Sequence, residues 1–234
     1  MRRVLEQLRH DPRTIGLLVV VPALLMVLLR YVFDSEHEFS LIAPALLGIF
    51  PFLTMFLVTS IATLRERTSG TLERLMTTPL AKLALLGGYG AAFSVIAIVQ
   101  VAVTTAVSLA LGMTVHGSLA WLVVVTIVDA LLGVALGLLA SAFAATEFQA
   151  IQLMPVVVLP QILLCGLFQP RAQMATVLRW LADVLPVSYA VEALQHVAGG
   201  AALDRGFARD LVVLAAFVAG ALVAGAATLR RHTA

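Results

Sequence analysis

The sequence is poor in charged residues and almost without lysine. Charged side chains make up 12% of its 234 residues, against about 25% in average soluble domains. Hydrophobic residues make up 61%, and the mean hydropathy is +1.03. A water-soluble fold could not bury that much apolar surface, so the composition excludes an ordinary soluble domain and indicates an integral membrane protein.

Other absences exclude whole classes of site. The only lysine, Lys82, stands in Ala-Lys-Leu, so the sequence has no Walker loop, in which a lysine must reach the nucleotide phosphates. The histidines lie far apart at no metal-ligand spacing, and no serine or cysteine stands in a nucleophile motif. The single cysteine, Cys165, excludes a disulfide within the chain. We therefore expect no catalytic residue, no metal site and no cofactor bound by this chain, which is not an enzyme by itself.

Long apolar runs alternate with short polar clusters. A helix needs about 20 apolar residues to cross about 30 Å of hydrocarbon, and the runs reach that length. We predict an all-α membrane protein with transmembrane helices at residues 14–33, 41–64, 83–112, 119–144, 150–168 and 211–229. The first run is too long and too poorly flanked for a cleavable signal peptide, so we expect the chain to retain it.

Basic residues are concentrated on one side of these six predicted spans. Arginines precede the first span, lie beside Lys82 in the 65–82 loop and follow the last span, whereas the 34–38 loop is acidic. Since positively charged loops stay in the cytoplasm, we predict that both termini and the 65–82 loop are cytoplasmic. The arginines form no basic face with interleaved aromatic residues, so we expect no nucleic-acid partner.

The amino-terminal residues 1–13 have the pattern of a short helix that lies in the membrane interface. Val4, Leu5 and Leu8 share one face of a helix, and Pro12 allows a bend into the first span. A disordered basic leader is the alternative.

The 65–82 loop predicts a second short amphipathic helix. Gly70 offers a flexible entry, an apolar stripe recurs at helical spacing, and Pro79 ends the helix. The stripe consists of Leu72, Leu75 and Met76, and the charged residues beside it are Glu66, Arg67, Glu73 and Arg74. A narrow stripe of this kind is typical of a helix that fits a groove on another protein. A plain surface loop is the alternative.

Residues 169–210 are too polar to cross lipid unprotected. Apolar residues recur at helical spacing on both sides of Pro186, which predicts two short helices joined there. We predict an extracellular re-entrant helical hairpin before the last span, packed against protein. A loosely packed external loop is the alternative.

Asp129 is the conspicuous polar residue inside a predicted span, where a lone carboxylate costs about 2.5 to 3.5 kcal/mol. With Gly133, Gly137 and Ser141 it recurs every four residues, which predicts a small, polar stripe that another helix can approach closely. We expect Gln100, at similar depth in the third span, to be its hydrogen-bond partner. A polar pathway or a proton relay is the alternative role.

The run from Glu66 to Pro79 resembles the signature of ABC transporter permeases of the type-2 export family, which includes daunorubicin-resistance-like drug exporters. A second match to that family lies downstream and consists of Gln149, Pro155 and Pro160, then Gly166-Leu-Phe-Gln-Pro170, Trp180-Leu, Leu185-Pro-Val-Ser-Tyr189 and Glu192-Ala-Leu. With the six spans, the resemblance covers nearly the whole chain. Where the family often has Ser-Gly, this chain has Cys165-Gly166.

The resemblance implies the permease subunit of an ATP-binding cassette exporter in a bacterial plasma membrane. Its substrate would be hydrophobic or amphipathic, such as a drug, an antibiotic or a lipid, as in multidrug efflux and antibiotic resistance. A separate ATPase subunit would bind ATP and Mg²⁺, and two permease copies would form the pore of a 2+2 complex. The residues implied to couple the permease to the ATPase are Glu66, Arg67, Gly70, Thr71, Leu72, Glu73, Leu75 and Met76.

The resemblance also places the second and fifth spans along the transport pathway. An aromatic and methionine-rich surface adapts to varied apolar ligands. The candidate pathway residues are Phe52, Met55, Phe56, Leu163 and Phe168. Ordinary packing against lipid or core is the alternative for each of them.

Two other functions compete with the ATP-driven exporter. A proton-coupled secondary transporter is motivated by Asp129 and Glu147. The third possibility is a membrane-embedded enzyme or assembly factor.

Overall fold

The computed structural model describes residues 12–69 and 82–228, and every regular element in these two ranges is a helix. The helices are α1 (Pro12–Phe33), α2 (Glu36–Thr68), α3 (Lys82–Ala110), α4 (Leu119–Ala140), α5 (Glu147–Leu164), α6 (Thr176–Val184), α7 (Pro186–Ala198) and α8 (Arg205–Ala227), with a 3-10 turn at Arg171–Gln173. All but α6 and α7 are long and apolar enough to cross a membrane, by length and composition. The predicted all-α protein with six transmembrane helices is confirmed.

The six long helices run back and forth between two ends of the bundle. We call one the loop end, where residues 65–69 and 141–147 lie, and the other the hairpin end, where residues 34–38, 111–118 and 165–204 lie. Contacts across the chain define each end: Arg65 reaches Glu147 at the loop end, and the His116 amide bonds the carbonyl of Ala198 at the hairpin end.

Local capping contacts fix where several helices begin. The Ser35 hydroxyl accepts from the Glu38 amide, and the Thr146 hydroxyl accepts from the Gln149 amide, at the first turns of α2 and α5. The Asp204 carboxylate accepts from the Phe207 amide at the start of α8, and this bond holds the pKa of Asp204 below its usual range.

The structure corrects the predicted bounds of four spans. The sixth was predicted at 211–229, but α8 covers Arg205–Ala227 because the Asp204 cap starts the helix earlier. The second was predicted at 41–64, but α2 runs from Glu36 to Thr68 because its acidic first turn suits a helix amino terminus. The fifth was predicted at 150–168, but α5 covers Glu147–Leu164. Beyond α5, Gly166 has a positive φ of 96° that a helix cannot continue. The fourth was predicted at 119–144, but α4 ends at Ala140 and a turn follows.

The core lies between α2 and α4, whose backbones touch. A methyl group added to Gly133 would lie 2.4 Å from the carbonyl oxygen of Phe52, and one added to Gly137 would lie 2.5 Å from that of Phe56. Only glycine leaves room for such an approach. The close helix packing predicted from the spacing of these two glycines is therefore confirmed.

The polar segment before the last span forms the two predicted short helices, which meet at Pro186. One face of α7 is buried against α2, α4 and α8 through Ala190, Val191 and Leu194. The shorter α6 instead exposes Val177 and Trp180. The re-entrant position of this hairpin in a membrane stays a prediction.

Two predicted elements lie outside the described residues. The interfacial helix was predicted at 1–13, of which only Pro12 and Arg13 are described, as the start of α1. The coupling helix was predicted within the 65–82 loop, and its apolar stripe falls in residues 70–81. Both helices stay predictions.

Candidate functional site

The loop end contains a two-point ion pair between distant parts of the chain. Arg65, in the last turn of α2, donates through Nε to Oε1 of Glu147 at 2.6 Å and through Nη2 to Oε2 at 2.9 Å. Glu147 is the first residue of α5, where the helix dipole favours a carboxylate. Planar guanidinium and carboxylate groups bonded at two points fix each other's orientation. The pair therefore joins the end of α2 to the start of α5 with a defined geometry.

Beneath that pair, apolar side chains pack the same two helices together. Leu64 and Ala150 are buried with Ala144 in a small cluster, and Ile61 and Leu153 pack against it. The loop end of α5 is thus held against α2 by apolar contact as well as by charge.

Two of the residues assigned to ATPase coupling lie at this end. Glu66 accepts a hydrogen bond from the Tyr89 hydroxyl of α3 at 3.4 Å. Arg67 has its Nε and Nη2 atoms shielded from solvent without a hydrogen-bond partner in the described part of the chain. Both side chains stand within one turn of the segment that was predicted to dock on a partner. The other coupling residues, Gly70, Thr71, Leu72, Glu73, Leu75 and Met76, lie outside the described residues, and the coupling role of all eight stays a prediction.

Asp129 lies in the centre of the bundle, where α2, α4 and α7 meet. Its side chain is fully buried, and an added methyl group on Gly48 of α2 would lie 2.9 Å from its Oδ2 and 2.8 Å from Leu194 of α7. Neither carboxyl oxygen has a hydrogen-bond partner among the described residues. The absence of a side chain at Gly48 makes the space that the carboxyl group occupies.

Gln100 does not form the hydrogen bond with Asp129 that the sequence analysis predicted. Its amide nitrogen donates to the hydroxyl of Thr54 on α2 at 2.6 Å. The prediction rested on the similar depth of the two residues in their spans. Depth does not determine which neighbouring helix a side chain faces. Gln100 thus connects α3 to α2, and the Asp129 carboxyl group does not bond to it.

The five candidate pathway residues divide into two groups. Phe52, Met55 and Phe56 are fully buried in the cores that α2 forms with its neighbours, whereas Leu163 and Phe168 are 58% and 71% exposed. Only Leu163 and Phe168 therefore stand on an open surface of the single chain. The pathway role of all five stays a prediction.

A line of buried hydroxyl groups on α2 is a feature that was not predicted from the sequence. Thr59, Ser60 and Thr63 are fully buried, and their hydroxyl oxygens have no hydrogen-bond partner among the described residues. Thr59 and Ser60 lie against Gly137 of α4. The spacing of Thr59 and Thr63, one helical turn apart, was the signal that could have identified this polar strip.

At the hairpin end, one arginine joins several elements. Arg171 pairs with Asp183 of α6 at 3.4 Å and with Glu192 of α7, and its guanidinium lies 4.8 Å from the ring centre of Tyr189. The Tyr189 hydroxyl donates to the carbonyl of Asp183 at 2.6 Å. From the sequence, Arg171, Asp183 and Glu192 had been recognised only as too polar for a membrane span, and Tyr189 only as part of the second family match. The structure brings them together as the cluster that orients the hairpin.

Comparison with known proteins agrees with this architecture. The sequence matches the profile of the ABC-2 type transporter family over residues 1–198. It is 27% identical over 157 residues to the probable multidrug ABC transporter permease YbhR of Escherichia coli K12, an alignment that covers 67% of this chain and 43% of that protein. It is 24% identical over 157 residues to ABC transporter G family member 20 of Dictyostelium discoideum, which covers 67% of this chain and 22% of that protein.

The chain thus spans less than half the length of these two relatives. The profile match nevertheless extends over most of the chain and includes α1 to α7, with the α2–α4 core and the loop-end ion pair. The protein is a multi-pass membrane protein of the ABC-2 type transporter family.

Proposed function

We propose that this chain is the permease subunit of an ATP-driven exporter and that a separate subunit hydrolyses the ATP. The observation that carries the proposal is the match to the ABC-2 type transporter family over residues 1–198. A chain with six membrane-spanning helices and no Walker loop needs a partner that binds the nucleotide, if ATP is its energy source. In this proposal ATP and Mg²⁺ are bound by the partner ATPase subunit.

The transport pathway, in this proposal, forms between two copies of the chain. The interior between α2 and α4 is filled by side chains such as Phe52 and Phe56, which supports a pathway outside the single chain. Apolar residues of α5, including Val156 and Leu163, are exposed and available to line it. Such walls suit a hydrophobic or amphipathic substrate, a drug, an antibiotic or a lipid. The multidrug permease among the relatives supports the same class.

We further propose that the loop end faces the cytoplasm of a bacterial cell and that the protein lies in the plasma membrane. The arginines near the loop end and at both termini support this orientation through their retention on the cytoplasmic side. Nucleotide-driven closure of the ATPase subunits would then push on the 65–82 loop and open the pathway toward the outside.

The first test is copurification with an ATPase encoded beside this gene. The variant Leu72→Asp with Leu75→Asp places two charges in the predicted apolar stripe, so we expect it to abolish association with the ATPase while the spans stay folded. Ser69→Asp with Thr78→Asp is the matched control, because it adds the same two charges outside the stripe. Full association of the Leu72 and Leu75 variant, measured by affinity copurification and ATP hydrolysis, would reject the docking role.

Proton-coupled secondary transport is the second candidate function. The buried carboxyl group of Asp129, without a hydrogen-bond partner in the described residues, is the observation that favours it. Glu147, the other carboxylate that motivated it, is paired with Arg65 at two points and is less suited to exchange protons.

A further inference from the structure

The polar contacts between α5 and other helices lie at its two ends, in the part of the chain that the structure describes. At the loop end, Glu147 pairs with Arg65 of α2. At the hairpin end, the Gln161 side chain accepts from the amide of Val187 at 3.4 Å, and the Ser188 hydroxyl donates to the carbonyl of Leu164 at 3.3 Å. The same helix thus connects α2 at the loop end to α7 at the hairpin end.

Between these two attachments, α5 contains two prolines. Pro155 and Pro160 have no amide hydrogen, so the helix lacks the backbone bonds that they would otherwise donate. Both prolines are exposed, and Val156 and Leu159 beside them are 69% and 53% exposed. Since proline is a usual cause of helix bends, the segment can change direction between its attached ends.

The loop-end attachment stands next to the part of the chain that receives force in the proposed function. Arg65 precedes Ser69, the last described residue before the 70–81 segment, by four positions, and α2 is an unbroken helix up to Thr68. A displacement of that segment therefore moves the Arg65 guanidinium with the end of α2, and the two hydrogen bonds carry the movement to Glu147.

An ion pair this exposed is a poor source of stability. The side chains of Arg65 and Glu147 are 67% and 48% exposed, and exposed pairs contribute little because water screens them. The apolar cluster of Leu64 and Ala150 already holds the helices together. The pair instead fixes the orientation of the end of α2 relative to the start of α5, because a guanidinium and a carboxylate bonded at two points keep a fixed relative orientation.

We propose that Arg65 and Glu147 are positioning residues for transport: their ion pair transmits nucleotide-driven movement of the end of α2 to α5, and through α5 to the hairpin. This inference rests on the proposed function. It adds a specific residue pair and a route, from the loop end along α5 to Val187 and Ser188, that the family assignment does not contain.

The test follows movement at the far end of α5 and needs no known substrate. Gln169 is exposed five positions beyond the last residue of α5, so Gln169→Cys is introduced with Cys165→Ser, which leaves one cysteine in the chain. The chain is reconstituted with its copurified ATPase in liposomes, and the rate of labelling by a membrane-impermeant maleimide is measured without nucleotide and with ATP and vanadate. We expect the nucleotide to change this rate.

In that background we expect Arg65→Gln, Arg65→Glu and Glu147→Arg each to reduce the nucleotide-dependent change by about fivefold or more, the lower range of coupling between distant sites. The exchange Arg65→Glu with Glu147→Arg restores opposite charges and should recover much of the response. Glu36→Arg is the matched control, because it breaks the Arg30–Glu36 pair at the hairpin end without touching α5. ATP hydrolysis by each complex shows that it is folded and assembled.

The outcomes separate this inference from the proposed function. If the ATPase neither copurifies nor hydrolyses ATP with the Gln169→Cys parent, the proposed function fails, and the inference fails with it. If hydrolysis is normal but the label rate does not respond to nucleotide in the parent, α5 does not move and only the inference fails. A full response in the single variants, or no recovery in the exchange variant, likewise overturns the role of the pair.

Discussion

Asp129 shows how the neighbours of one residue define its role. A carboxyl group in an apolar interior is less costly to bury when it is neutral than when it is charged. The backbone at Gly48 and the apolar side chain of Leu194 lie beside it, and neither carboxyl oxygen has a hydrogen-bond partner among the described residues. The simplest physical account is a neutral carboxyl group that fills the space opposite a glycine.

Replacing Asp129 by asparagine separates this account from a proton relay. Asparagine is neutral and nearly the same size, so we expect Asp129→Asn to keep ATP-dependent transport and to change the free energy of unfolding by less than about 1 kcal/mol. The measurement is transport in proteoliposomes at two pH values, with a substrate found by an ATPase-stimulation screen. Loss of transport in a folded, ATP-hydrolysing complex would favour the proton relay instead.

Gly133 sets the distance between the two central helices. We expect Gly133→Ala to destabilise the protein by about 1 to 3 kcal/mol, the usual cost of overpacking, because the new methyl group would lie 2.4 Å from a backbone oxygen that cannot turn away. Gly220→Ala is the control, since nothing lies within 4 Å of its added methyl group. Thermal unfolding is followed by a thiol-reactive dye that labels buried Cys165 only on unfolding. Equal melting temperatures for both variants would contradict the packing argument.

Among the elements, the hairpin of α6 and α7 depends most on polar contacts. Its α6 helix is exposed on its apolar side, at Trp180 and Val184 among others, so burial contributes little to its position. The Arg171 side chain, only 12% exposed, instead links α6, α7 and the ring of Tyr189. A fork-shaped guanidinium can bond two carboxylates and stack on a ring at once.

We therefore expect Arg171→Ala to loosen the hairpin. Loss of the guanidinium leaves Asp183 and Glu192 without their partner, and because both are half exposed to water the cost is about 1 to 2 kcal/mol. Arg171→Lys should restore little of the lost stability, because an ammonium group cannot bond both carboxylates in the same geometry and stack on the Tyr189 ring. Limited proteolysis of residues 165–204 measures the effect. Arg179→Ala is the control, and equal protection of both alanine variants would refute the role of Arg171.

At the scale of the whole molecule, the interior is filled by apolar side chains, and other apolar side chains remain exposed on the outer surface. The space between α2 and α4 is occupied by buried aromatic residues, while α1 and α5 expose most of their length to whatever surrounds the chain. In a membrane that surrounding is lipid or a second protein. Of the pathway candidates, Leu163 and Phe168 therefore lie on the outer face of the molecule, whereas Phe52, Met55 and Phe56 are packed inside it.

Orientation in the membrane is the whole-molecule property on which the mechanism depends. We expect Ser69→Cys, at the loop end, to be labelled by an impermeant thiol reagent only in inverted membrane vesicles, and Thr114→Cys, at the hairpin end, only in intact cells. Both changes are made with Cys165→Ser. The reason is the retention of arginine-rich loops on the cytoplasmic side. Labelling of Ser69→Cys from outside would remove the loop from the reach of an ATPase and would overturn the proposed function.

Local sequence features determined much of this protein by themselves. Apolar runs of membrane length fixed six long helices, because a backbone in lipid must satisfy its own hydrogen bonds. The spacing of Gly133 and Gly137 predicted a close helix contact, and Pro186 predicted the joint in the hairpin. The motif beginning at Glu66 indicated the family that the comparison then established. Each of these signals lies within a short stretch of chain.

Only the tertiary structure decided which side chains meet across the bundle. Arg65 with Glu147, Gln100 with Thr54, and Asp129 with Gly48 join residues that lie far apart in sequence. A membrane helix is apolar on the side that faces lipid as well as on the side that faces protein. Its pattern therefore does not reveal which side is buried, as the burial of Phe52 and the exposure of Leu163 show. Which side of each helix is buried depends on how the helices pack together, and the apolar pattern of one sequence does not show that packing.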